Sequence, residues 1–281
     1  MSGETFAIIA VLLAAVLHAG WNTLVKTSRS SFLTIAMLQL LLALAVVPLV
    51  PLVAPPDRAS WPYLGLSVLI HLAYQVFLSL ALRHGDLSLA YPIARGSGPV
   101  FVTLFAPMAV DEPLTQQGVG GIVAIFIGIC LVAFKPGIEF SQVRRGVVYA
   151  VATGALIAMY TVADGMGARV SGAVGGYIVW LYLLEGAAIG LLAFLVQPRQ
   201  LIEHARMHWR RAAAGAAMAG GAYGIVIWAL TESEMAYIAA LRESSVVFAA
   251  LIGALFLHEP FGHRRVIGSA IVSGGIVVLS L

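Results

Sequence analysis

A chain of 281 residues in which 60% are hydrophobic and only 10% charged is not a water-soluble domain, where charged residues make up about 25%. Its formal charge of +3 is scattered over short loops between apolar runs, which encodes membrane topology and excludes a nucleic-acid surface. The runs are about 18–22 residues long, the span of a helix across a bilayer and roughly twice that of a barrel strand. Lipid permits only those two kinds of spanning backbone.

Ten crossings are predicted, at about 5–25, 33–53, 62–82, 88–109, 115–134, 146–164, 174–196, 211–231, 236–256 and 264–280. In the first, His18 and Asn22 share a face at i, i+4, with Trp21 at i+3. Pro55-Pro56-Asp57 closes the second. The third carries His71, Tyr74, Gln75 and Ser79 on one face; His84-Gly85-Asp86 ends it. In the fourth, Tyr91 precedes Arg95 by one turn. The fifth shows small residues at Gly120, Ala124 and Gly128, and holds the single Cys130, so no internal disulfide is available. The sixth has Tyr160 and Asp164, the latter placed near a membrane interface. Glu185 sits midway along the seventh, which also carries Trp180 and Tyr182. Tyr223 and Trp228 lie in the eighth, Tyr237, Arg242 and Glu243 in the ninth, and Gly268, Val272 and Gly275 in the tenth.

The two halves repeat. Arg95, Ser97, Phe101, Leu104, Glu112, Pro113, Gly121 and Gly128 recur as Arg242, Ser244, Phe248, Leu251, Glu259, Pro260, Gly268 and Gly275, all at one offset of 147 (242 − 95). Residues 1–134 and 146–281 are therefore two copies of one five-helix unit, joined by a linker at 135–145. Five is odd, so the second copy is inverted. Inverted repeats are a construction principle of secondary transporters, with substrate bound near the midplane. The matching small-residue stripes of the fifth and tenth crossings predict close helix packing.

Loop charge sets orientation. Lys26, Arg29, Arg83, Lys135, Arg144, Arg145, Arg199, Arg206, Arg210, Arg211, Arg264 and Arg265 fall on one side, and only Arg58 and Arg169 on the other. The positive-inside rule puts the rich side in the cytoplasm and both termini in the periplasm. Residues 1–5 carry no basic side chain, which speaks against a cleaved signal peptide.

The chemistry lies in the intramembrane polar groups, which face a cavity or a partner because lipid solvates them badly. Arg95 sits roughly 10 Å into its crossing and Arg242 roughly 9 Å in from the opposite face. Pseudo-twofold symmetry brings both to one space, where two fork-shaped guanidinium groups suit a carboxylate or phosphoryl group. The alternative is a structural or gating ion pair; Glu243 adjoins Arg242, but consecutive helix positions do not face each other. Glu185 can pair with either arginine, bind an ammonium group, carry a proton, or sit protonated on a backbone carbonyl. His18, Trp21, Asn22, Tyr74, Gln75, Tyr91, Tyr160 and Tyr223 are candidate cavity walls, suited to small amphipathic metabolites; as single residues they also read as interfacial belts or helix–helix contacts. His18 and His71 titrate in the right range for proton carriers, and read equally as structural hydrogen-bonding residues. No Walker loop supports ATP-driven transport, and no metal-ligand spacing or cofactor motif stands out.

The whole chain resembles the drug/metabolite transporter superfamily, in its EamA-type ten-helix branch. The resemblance rests on the duplicated unit, the small-residue terminal helices, His18-Ala19-Gly20-Trp21-Asn22 and the paired Glu-Pro turns. It implies an all-α polytopic protein of the bacterial inner membrane, a cavity lined by crossings 1–4 and 6–9, and crossings 5 and 10 at the back. It also implies solute movement without ATP. No cofactor is expected; the partners expected are a small-molecule substrate and the lipid bilayer, with a monomer or weak dimer as the assembly and a proton as one candidate coupling ion. Members of this branch are commonly described with cytoplasmic termini, the reverse of the charge count here. The expected activity is secondary active transport of a small zwitterion or anion: an amino acid, a related metabolite or an aminophosphonate. A flippase for a lipid-linked or amphipathic substrate is the first alternative, and a membrane-embedded enzyme the second.

Overall fold

The computed structural model describes residues 3–28, 30–84, 87–109, 115–133, 140–256 and 263–279. Their regular structure is helical throughout: α1 (Gly3–Lys26), α2 (Ser31–Val46), α3 (Trp61–His84), α4 (Leu87–Ala109), α5 (Gln116–Ala133), α6 (Phe140–Arg169), α7 (Val174–Val196), α8 (Pro198–Glu232), α9 (Met235–Arg242), α10 (Ser245–Phe256) and α11 (His263–Leu279), with single 3-10 turns at Val47–Leu49 and Arg58–Ser60. The helices α9 and α10 are the two halves of the ninth crossing. Six of the described helices are long and apolar enough to cross a bilayer by length and composition alone. Phe6, Leu13, Leu69, Leu191 and Leu195 are more than half exposed on the outer surface. Such a surface suits lipid, not water.

Boundaries of the second, sixth and eighth crossings differ from expectation. The second crossing stops being α-helical at Val46 instead of 53, because Pro48 and Pro51 cannot donate to the helix ladder. The eighth begins at Pro198, not 211: proline is well placed at the first helical position, and the basic stretch behind it contains no breaker. The sixth begins at Phe140, so residues 140–145 of the expected linker are already helix. The rest of that linker, and both Glu-Pro turns, lie outside the described residues.

The halves interlock. Helix α1 packs on α8 while α6 packs on α3; α1 meets α9 and α10 while α6 meets α4; α2 lies on α7 and α5 on α11. Shifting the chain by 147 exchanges the members of each contact. The α5–α11 seam shows this at atomic level. A Cβ on Gly128 would lie 2.6 Å from the Gly268 carbonyl oxygen and 2.7 Å from Val272 Cγ2; one on Gly275 would lie 2.7 Å from the Gly121 carbonyl oxygen and 2.9 Å from Ile125 Cγ1. Residues 121 and 268, 125 and 272, and 128 and 275 are repeat partners, so the seam is a pseudo-twofold contact. The expected stripe began one residue early: Gly120 is exposed, and a Cβ there would touch nothing.

Candidate functional site

The ninth crossing is tightened in its middle. Between α9 and α10, Glu243 N–H donates to Ala240 O at 3.0 Å and Ser244 N–H to Leu241 O at 3.1 Å, an i to i+3 pattern. Mid-helix turns of this kind mark hinges or strain. The tightening brings Arg242 Nε within 3.8 Å of Glu243 Oε1. The expectation that adjacent residues point apart holds for a regular helix, and the backbone here is not one. From α4 in the other half, Arg95 Nη2 reaches the same oxygen at 3.0 Å and lies 3.5 Å from Ser245 Oγ.

Both arginines are buried, at 4% and 3% exposure, and Glu243 is at 0%. They meet on one carboxylate, leaving the cluster one positive charge in excess. Nη2 of Arg242 has no hydrogen-bond partner among the described residues. The carboxylate is not duplicated: Gly96 occupies the equivalent place in the first half.

Glu185 meets neither arginine directly. Gln39 Nε2 donates to its Oε1 at 2.8 Å, and His71 Nε2 lies 3.9 Å from the same atom. Gly186 makes this possible, since a Cβ there would overlap the Gln39 carbonyl oxygen and hold α2 away from α7. His71 Nδ1 lies 2.9 Å from Ser67 O. A carbonyl oxygen only accepts, so Nδ1 carries a hydrogen. In a neutral ring Nε2 then presents a lone pair to Glu185. One proton placed on either the imidazole or the carboxyl satisfies the pair; none leaves a lone pair facing a carboxylate.

Asp164, expected near a membrane interface, lies inside the protein. It is fully buried: Tyr177 Oη donates to Oδ1 at 3.0 Å, and Tyr223 Oη donates to Oδ2. The reason is that α6 continues to Arg169, carrying Asp164 more than a turn inside the bundle, where α7 and α8 close over it.

Aromatic rings join these clusters. His71 stacks on Tyr160 at 4.1 Å between centroids, and Tyr74 and Tyr223 each meet Tyr160 edge-on at 5.9 Å. Tyr223 thus links the ring cluster of His71 and Tyr160 to Asp164, and His71 links it to Glu185.

The Asn22 amide donates back to His18 O at 2.8 Å, and Trp21 packs with Leu38, Val179 and Tyr182 besides its edge contact with His18 at 5.1 Å. Gln75 is half-buried on α3. The side chain of Tyr91 lies outside those described. Sequence reasoning missed Gln39, although a lone amide in an otherwise apolar crossing was a visible signal. It also missed the Tyr177 contact to Asp164, which no spacing rule reveals.

Comparison with known proteins agrees with this architecture. A solved structure described only as "Crystal structure of protein" superposes with a TM-score of 0.73 at 19% identity, covering 98% of this chain and 95% of that one; at that identity the likeness is one of fold. The EamA-like transporter family matches twice in tandem, over residues 5–134 and 144–281. The chain belongs to that family, the EamA-like membrane transporters of the drug/metabolite transporter superfamily.

Proposed function

We propose that the protein is a secondary active transporter for a small zwitterionic or anionic metabolite, an amino acid, a related metabolite or an aminophosphonate. The observation that carries this reading is the convergence of Arg95 and Arg242, from opposite halves, on the single carboxylate of Glu243. An internal carboxylate on two guanidinium groups is a stand-in for the anionic end of a substrate. When a substrate anion takes that place, Glu243 is released at the tightened turn between α9 and α10, and the turn becomes the hinge. Crossings 1–4 and 6–9 then rock around the site in alternating access. An ammonium group would face Glu185 across Tyr160, and the ring faces of Tyr160 and Tyr223 add cation–π attraction.

The His71–Glu185 pair, holding one proton between two groups, is the proposed coupling element. Uptake into proteoliposomes of radiolabelled amino acids, aminophosphonates and sugar phosphates tests the substrate class; saturable uptake of a small zwitterion or anion is expected, and uptake of cations alone would refute it. Glu185→Gln is expected to lose accumulation driven by a pH gradient while keeping substrate exchange. Equal accumulation by variant and parent would remove the proton from the mechanism.

We propose a bacterial inner membrane as its location, and both termini in the periplasm, an orientation that the loop charge supports. A C-terminal reporter active only in the periplasm should therefore give signal, and one active only in the cytoplasm should stay dark.

A further inference from the structure

A second polar site lies at the arginine-rich end of the bundle, about 18 Å along α8 from Tyr223, counting twelve residues from Arg211 at about 1.5 Å each. Here the end of α1, the first turn of α2 and the first half of α8 enclose a cavity of about 190 Å³. Thr27, Ser28, Thr34, His204, His208 and Arg211 line it. The three α8 residues follow at i, i+4 and i+7, so one face of that helix supplies two imidazoles and a guanidinium group.

The hydrogen bonding leaves donors in excess. Thr27 Oγ1 donates to Thr23 O at 2.9 Å, and Ser28 Oγ to Val25 O at 2.6 Å. Arg211 Nη2 donates to Thr27 Oγ1, which uses one of five guanidinium hydrogens. His204 Nε2 pairs with Thr34 Oγ1 at 3.1 Å, and its ring lies 4.8 Å from that of His208. Among the described residues no carboxylate lines the cavity, and the first turn of α2 has no acidic residue. The positive end of the α2 dipole adds to the field. The volume is too small for a whole metabolite, whose pockets run from about 300 Å³ upward, and suits a single oxyanion with its water.

We propose that this cavity binds a phosphoryl group, held by Arg211 and His208. The group has two possible sources, free phosphate and the headgroup of an anionic phospholipid. The neighbouring surface favours the second: Ile202, Met207 and Trp209 are 47%, 69% and 53% exposed on α8, and the Arg210 guanidinium lies 5.5 Å from the Trp209 ring. An apolar and aromatic belt beside arginines is the signature of a helix at headgroup level.

The test is thermal unfolding of the full-length protein in neutral detergent, titrated with inorganic phosphate or with phosphatidylglycerol. Potassium chloride at equal ionic strength and phosphatidylcholine are the respective controls. A saturable rise in Tm with phosphatidylglycerol alone assigns a lipid headgroup; a rise with both assigns a phosphoryl site open to free anions. In either case Arg211→Gln should shift the titration midpoint by at least about tenfold, the worth of one charge-assisted contact. Arg145→Gln, which removes an equal charge at the start of α6, outside the cavity, should leave it unchanged. Arg211→Lys keeps the charge without the fork, and should bind more weakly than the parent and more tightly than Arg211→Gln. No rise with either ligand, or equal losses in the Arg145 and Arg211 variants, would overturn the proposal.

Discussion

Glu243→Gln is expected to destabilise the purified protein by about 3–5 kcal/mol, the usual cost of stripping one partner from a buried ion pair. The variant leaves Arg95 and Arg242, 4% and 3% exposed, facing each other across a neutral amide. The cluster charge goes from +1 to +2 in a buried site. Removing an arginine acts in the opposite direction. Arg95→Gln leaves Arg242 Nε 3.8 Å from Glu243 Oε1, a neutral pair, so its stability cost should be smaller than that of Glu243→Gln.

The double variant Arg95→Gln/Glu243→Gln returns the cluster to +1, and should recover roughly 1–3 kcal/mol relative to Glu243→Gln alone, within the range of coupling for residues in contact. Transport separates the residues differently. Loss of Arg95 or Arg242 should lower uptake by at least about 25-fold, the equivalent of about 2 kcal/mol for a buried charge contact. Glu243→Gln should instead bind the anionic substrate more tightly, because the internal competitor has gone. Denaturant unfolding with and without substrate measures both effects. A Glu243→Gln protein as stable as the parent, with no added stabilisation by substrate, would show that the carboxylate does not balance the arginines.

The legibility of this chain was uneven in a way physics explains. The ten crossings, the inversion and the meeting of Arg95 with Arg242 follow from apolar run lengths and one constant offset, because lipid punishes any other arrangement. The partner of those arginines did not follow. Adjacent helical residues diverge by about 100°, so Glu243 could be matched to Arg242 only once the helix was seen to tighten there. Glu185 is the second case. Its acid character and depth were plain, but its partners come from α2 and α3, and no local pattern specifies which helices lie against α7. For Asp164 the reason is a third: α6 runs five residues past its expected end at 164, to Arg169, and the tyrosines that meet the acid come from α7 and α8, which no local pattern specifies.

The back wall offers the clearest test of the pseudo-twofold axis, independent of any substrate. Gly128→Ala should cost about 1–3 kcal/mol, as overpacking does, since the new Cβ would meet the Gly268 carbonyl oxygen at 2.6 Å and the Val272 backbone nitrogen at 2.9 Å. Backbone atoms cannot swing aside, so α5 and α11 must separate. Gly275→Ala should cost a similar amount, because its Cβ would meet Gly121 O at 2.7 Å and Ile125 N at 3.0 Å. The two substitutions demand the same separation at symmetry-related points of one seam. Once the first has moved the helices apart, the second finds space already open, and the double variant should cost less than the two singles added. Gly120→Ala is the control: nothing lies within 4 Å of its Cβ, and helix propensity alone should make it neutral or stabilising by up to about 1 kcal/mol. Full additivity of the Gly128 and Gly275 costs would mean two independent clashes, and a Gly120→Ala penalty as large as that of Gly128→Ala would shift the seam back onto the other face of α5.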